Sequence, residues 1–189
     1  MTTMAQQKDI GAYLKTASEG ALDWAQITAA AGNDNVEVNG NVIDILKAGR
    51  GRYCSAKLII YWKAVLQDTK TLSIAANLRH DTDSGMSTDV ADLYATRGCY
   101  SRDDSSGATS DADSTAVTLS SGCFPKTAVA TGQSGGTTER GVVELDFDLS
   151  KANEYIQAQV TADLSASGTD TVDIGAILVF GGAIENPAV

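Results

Sequence analysis

The sequence predicts an all-β protein: an antiparallel, jelly-roll-like β-sandwich with an N-terminal arm and one long polar insertion. Three observations carry that expectation. From residue 36 onward the apolar residues recur with a period of two, as in a strand with one face in a core. The 189 residues include 18 Gly and only 2 Pro, with dense Ala, Ser, Thr and Asp, which suits many short strands joined by tight polar turns. No ten-residue helical pattern separates the core strands. A chain of this length fits one sandwich with appendages and can bury a core without disulfides.

The clearest strand runs from residue 53 to 66. Cys54, Ala56, Leu58, Ile60, Trp62, Ala64 and Leu66 share one parity; Tyr53, Ser55, Lys57, Ile59, Tyr61, Lys63 and Val65 share the other. A helix would scatter these apolar residues around its circumference. Gln67 to Lys70 reads as a turn, and Leu72, Ile74, Ala76 and Leu78 as the inner face of a second strand, so the two together read as a hairpin. Earlier, Val36 and Val38 lead into Asn39-Gly40, a strong hairpin-turn dipeptide, with a short strand from Val42 to Leu46. Three further strands alternate near the end: Val143 to Leu149, Ile156 to Ala162 and Val172 to Phe180. Ala176 to Phe180 is apolar on both parities, which predicts burial on both faces or a contact between subunits.

Two stretches stand apart from the 36–182 sandwich, along with a tail at 183–189. In residues 1–35, Ile10, Tyr13, Leu14 and Ala17 have helical spacing, but Gly11 and Gly20 weaken it. Leu22, Trp24 and Ile27 follow. The stretch reads as an arm with few core contacts, in which Trp24 either anchors back onto its own domain or docks on a partner. Residues 97–125 read as an insertion loop rich in Ser, Asp and Gly, with Val117 and Leu119 as an edge strand within it. Cys99 and Cys123 bracket this insertion and are placed to pair in an oxidising environment. Cys54 has core parity, the pattern of a buried, inert thiol.

A search for chemistry returns little. The single histidine, His80, ends a strand pattern, and no G-x-S-x-G elbow accompanies it. Asp81, Asp83 and Gly85 have a faint calcium-loop spacing without the downstream Glu. Asp103, Asp104, Asp111 and Asp113 form a second acidic group. Both groups read as solvated loops, and no cofactor is implied. Glu144, Asp146 and Asp148 line one strand face, the usual solvent side of a sheet, although a glycosidase pair can come from any two strands. A net charge of −10 with no basic patch argues against nucleic acid. Residues 1–10 lack the pattern of a signal peptide, and no apolar run approaches a membrane span, so synthesis in the cytoplasm without export is expected. What remains is surface. Tyr53, Ile59, Tyr61 and Val65 form an outward stripe, which marks either an interaction surface or a second packed layer.

Several runs carry a resemblance: Ser55-Ala56-Lys57-Leu58-Ile59-Ile60, Lys70 to Leu78, Gly135 to Asp146, and Leu164 to Thr171. Over about residues 52–80 and 127–182 the chain resembles the head decoration, or capsid cement, proteins of tailed bacteriophages. The arm and the 97–125 insertion lie outside that likeness. The resemblance implies a jelly-roll-like, non-catalytic module, often a homotrimer, on the capsid exterior. There it would bind the major capsid protein and bridge neighbouring subunits. On this reading Tyr13, Leu22, Trp24 and Ile27 of the arm, with Tyr53 and Tyr61, are the expected partner contacts. A carbohydrate- or receptor-binding module of the same architecture is the alternative, because fold alone does not separate the two.

Overall fold

In a computed structural model the described residues are 15–16, 21–46, 53–103, 114–166 and 168–183. They form twelve strands: β1 (Lys15–Thr16), β2 (Leu22–Thr28), β3 (Glu37–Asp44), β4 (Tyr53–Leu66), β5 (Thr71–Asp81), β6 (Ala91–Leu93), β7 (Ala95–Asp103), β8 (Thr115–Val117), β9 (Phe124–Thr131), β10 (Thr137–Asp148), β11 (Tyr155–Leu164) and β12 (Thr171–Ala183). A seven-stranded sheet has the order β1-β12-β4-β10-β7-β8, with β2 also on β12. A five-stranded sheet has the order β3-β11-β5-β6, with β9 also on β5. Every pairing is antiparallel. The predicted β-sandwich is the fold observed.

The alternation explains the packing. The even positions of β4, from Ala56 to Leu66, are buried, and Val143, Leu145 and Phe147 of β10 lie beside them. Leu72, Ile74 and Leu78 of β5 and Ile156, Ala158 and Val160 of β11 supply the other sheet's inner face. Each fully buried Leu, Ile, Val or Phe side chain of this set contributes roughly 1.5–3 kcal/mol.

The route of the chain departs from the sequence reading. All connections except β1–β2, β5–β6 and β7–β8 carry the chain from one sheet to the other. The 67–70 turn is therefore an arch, with β4 in the larger sheet and β5 in the smaller, and not a hairpin. An arch and a hairpin share one apolar pattern, because both point two strands' apolar residues into the same core. The arch is pinned from outside. Buried Asp170 accepts the Gln67 amide at 3.1 and 3.2 Å, and Thr69 N–H donates to Gly132 O at 3.0 Å. Gly132 is required there, since a Cβ would stand 2.0 Å from the Gln67 carbonyl oxygen.

Asn39-Gly40 is also not a turn. It lies inside β3 at a register shift, where Asn39 faces Gln159 and Val42 faces Gln157. Asn41 N–H donates to Ala21 O at 3.1 Å, and a Cβ on Gly40 would meet that oxygen at 1.8 Å. The glycine serves a bulge and a close approach of backbone.

The two stretches set apart above contain sheet. β2 lies along β12, and Ala21, Leu22, Ile27 and Ala29 join the buried core. This part of the arm is therefore a strand of the larger sheet, and Leu22 and Ile27 face its core rather than a partner. Tyr13 lies outside the described residues. Within 97–125, β7 pairs with β10 from Ala95 to Asp103, β8 edges the sheet, and Phe124 opens β9. Glycine and serine hide the alternation around Gly98 and Tyr100, so this part of β7 carries no strand signal in the sequence. Residues 104–113, with Asp104, Asp111 and Asp113, lie outside the described residues.

Candidate functional site: an aromatic sheet face

From Ser55 to Val65 the odd positions of β4 point away from the core. The register sets their neighbours in rows across the larger sheet. In one row Tyr61 stands between Gly175 of β12 and Val142 of β10. Ile59 stands between Ile177 and Glu144, and Lys63 between Asp173 and Arg140. Beyond β12, a register shift in β2 places Trp24 beside Gly175. A Cβ on Gly175 would lie 2.9 Å from Trp24 Cε3, so the glycine forms the floor on which the indole rests.

The row Trp24–Gly175–Tyr61–Val142 therefore joins two aromatics that are 37 positions apart in the chain. Trp24 is 63% exposed, Tyr61 40% and Val65 47%. Ile59, Ile177, Val142 and Val179 are half-buried around them. Large apolar side chains are grouped here on one open face, which makes it the candidate interaction surface. Trp24 is anchored on its own sheet along one edge, and the rest of its ring is open to solvent.

Charge frames this face. Lys57 Nζ lies 2.7 Å from Glu144 and 3.0 Å from Asp146, and Arg97 lies 4.0 Å from Asp146. Burial alone would lower the Lys57 pKa, but the bonds to Glu144 and Asp146 outweigh it and the net shift is upward. Glu144 and Asp146 are thus acceptors for one lysine. Asp148 is held below the usual carboxylate range chiefly by the Ser150 amide. A cleft of about 610 Å³ opens at the Phe180 end of the face, between Lys57, Asp146 and Val179.

The other sequence-predicted residues fall elsewhere. Tyr53 has left the outward stripe: it is buried and stacked on Phe180, ring centroids 5.0 Å apart. Cys54 is half-buried rather than buried. Cys99 and Cys123 are free thiols, Cys99 opposite Glu144 in β7 and Cys123 beside β9. Burial and the Asp92 carboxylate raise the Cys123 pKa. His80 Nδ1 accepts the Asn153 amide at 3.1 Å.

Asp81 organises its own loop. Its buried carboxylate accepts the amides of Asp83 (3.1 Å), Thr88 (3.0 Å) and Asp89 (3.1 Å). Burial would raise its pKa, but those amides outweigh it and hold the pKa at about 2. Asp83 accepts the Ser87 hydroxyl at 2.8 Å. Both carboxylates are thereby engaged by protein donors, and among the described residues no group of three or more His, Cys, Asp or Glu is placed to hold a metal ion.

Val142, Gly175, Ile177 and Arg140 of the face carry no functional signal of their own in the sequence. The one available signal was the double-parity apolar run Ala176–Phe180, whose outward members Ile177 and Val179 belong to this surface.

Fold and surface together define a class: an antiparallel β-sandwich with an open aromatic face on its larger sheet. No family model and no curated protein matches the chain. Among solved structures it is similar to the infectious bursal disease virus VP2 subviral particle, at TM-score 0.22 and 11% identity, over 89% of this chain and 40% of that one. It is also similar to the infectious bursal disease virus Gx strain structure, at TM-score 0.24 and 10% identity, over 89% and 41%. The chain thus spans about two-fifths of the length of each.

Proposed function

We propose that the protein is a non-enzymatic virion structural protein that binds the outer capsid shell and cements neighbouring capsid subunits. Its partner is the major capsid protein. The observation that carries the reading is the open row Trp24–Gly175–Tyr61–Val142 on a rigid sheet. Tryptophan and tyrosine are favoured anchors in protein interfaces, and many symmetry-related copies multiply a modest contact by avidity. The resemblance described above supplies the kind of partner. Co-sedimentation with undecorated capsids tests it: binding in fixed ratio to the capsid subunit is expected, and weak or absent binding by Trp24→Ala. A wild-type protein that stays in the supernatant at every capsid concentration would refute the reading.

A second reading has one observation in its favour. Two aromatics lie in a row on an open face beside Gln26 and Asp173, which hydrogen-bond to each other at 2.9 Å. Exposed rings edged by hydrogen-bonding groups also suit a carbohydrate or a glycosylated receptor. A glycan screen separates the two: saccharide binding lost in Trp24→Ala, without capsid binding, favours this module.

A further inference from the structure

We infer that in the free protein the aromatic face is covered by a second copy of the same chain, across a two-fold axis running along the row Trp24–Gly175–Tyr61–Val142. This pairing does not depend on the virion reading.

The argument is one of self-complementarity. A two-fold interface brings the same patch onto itself, so residue i meets j and j meets i. An axis in the face, perpendicular to the strands and along the row, keeps each strand over its counterpart and reverses it end to end. Trp24 then meets Trp24 and Tyr61 meets Tyr61. On β10, Arg140 and Glu144 lie two residues either side of Val142 and point outward with it. The axis sets Arg140 of each copy over Glu144 of the other. It sets Lys63 over Ile59 and Asp173 over Ile177, so no like charges meet in these rows.

The charges also choose between axes. A two-fold running along β4 would set Asp173 over Arg140, but it would also stack Lys57 on Lys57 and Lys63 on Lys63, and like charges opposed in an interface are costly. Arg140 is exposed and forms no ion pair among the described residues, so it is available to a partner. Glu144 is supplied with one cation, Lys57, and turns a side to solvent.

The size is adequate. From β2 to β7 the face crosses four inter-strand spacings, about 20 Å, and residues 57–65 of β4, which an axis through Tyr61 lays over one another, extend it about 27 Å. This is on the order of 550 Å² per copy, or about 1,100 Å² in total, just above the roughly 1,000 Å² that a specific interface needs.

The pairing also replaces the trimer that the resemblance implies, and places self-association in competition with capsid binding at one surface. Sedimentation velocity on the full chain, without capsids, tests it. The expected species is a dimer of twice 19.6 kDa. Arg140→Glu and Glu144→Arg are each expected to weaken the dimer about 10- to 100-fold. An equimolar mixture of the two variants is expected to restore it, because both contacts of the mixed pair are then attractive. Circular dichroism checks that each variant folds; Asp146 remains as a partner for Lys57 in Glu144→Arg. If that variant does not fold, Trp24→Lys on the axis replaces it, with a monomer expected. A wild-type monomer, a trimer, or folded variants that fail to pair when mixed would each overturn the proposal. Because no capsid is present, its failure is distinct from failure of the capsid reading.

Discussion

On the outer face of the larger sheet, Trp24, Tyr61 and Val65 stand in solvent. At the equivalent outward positions of the smaller sheet stand Asn77 and Arg79 of β5 and Gln157 and Gln159 of β11. These are tied to one another. Arg79 Nη2 donates to Gln157 Oε1 at 2.6 Å and to Asn39 Oδ1 at 3.1 Å. Gln157 Nε2 donates to Gly40 O at 2.8 Å. Gln159 Nε2 donates to Asn39 at 2.9 Å and to Glu37. Asn77 donates to Asp92 at 2.6 Å. Gln157 and Gln159 are buried as a result, although no second layer covers them among the described residues. A polar face that satisfies nearly all of its own hydrogen bonds, with Arg79 Nε the one buried donor left over among these residues, gains little from a partner. An apolar face cannot satisfy itself in this way, and its exposed area is removed from water only by another surface. The same alternation of residues has thus produced one closed face and one open face.

This contrast can be tested by substitution. The largest expected effect is on neither face but in the core beneath the smaller sheet. Phe124→Ala, at a side chain 1% exposed, should lower unfolding free energy by about 3–5 kcal/mol in urea titrations. Arg79→Ala removes the donor shared by Gln157 and Asn39. A loss of about 1–3 kcal/mol is expected, with self-association unchanged; weakened association would break the assignment of the polar face as closed. Trp24→Ala should do the reverse. Its stability cost should stay below about 1 kcal/mol because most of the ring is exposed, while association falls at least about tenfold. A larger stability loss with association unchanged would show that Trp24 serves only its own sheet.

The smallest expected effect concerns acid. Asp81 has a folded pKa of about 2 against an ordinary value of 3.8. A depressed carboxyl stabilises the fold above its unfolded pKa and loses that contribution as pH falls through the folded one. Melting temperatures measured from pH 5 to pH 2 should therefore fall more steeply for the wild type below about pH 4 than for Asp81→Asn, which has no such carboxylate to titrate. Parallel curves would show that the loop does not depend on the charge.

The strands were legible where one parity was apolar, as in β4, β10, β11 and β12. The pairings were not. Local alternation reports which residues face the core, and it is silent on which sheet a strand joins; the β4–β5 arch and the crossings that follow depend on contacts such as Asp170 with Gln67, 103 positions apart. β2 and β7 were missed for a different reason. Trp24 faces outward on β2, and Gly98 on β7 presents no side chain to a core that Leu119, Phe124 and Leu145 fill. Of the site, Trp24 and Tyr61 were each noted, but their meeting was not. It depends on the register across β12 and on a mid-strand glycine, Gly175, whose meaning appears only when the indole is seen above it.

The position of β4 has a consequence for synthesis. The centre of the larger sheet bonds on both sides to strands made much later: Leu66 pairs with Thr137, and Ile60 with Ala176. At about 5–20 residues per second, the stretch between Leu66 and Thr137 takes roughly 4–14 s to translate. Through that interval the longest of the described strands leaves the ribosome without either neighbour. A nascent chain halted before β12 would keep one edge of β4 open to pairing with other chains. Protection of that edge during translation, rather than the strength of the finished core, would then set the yield of folded protein.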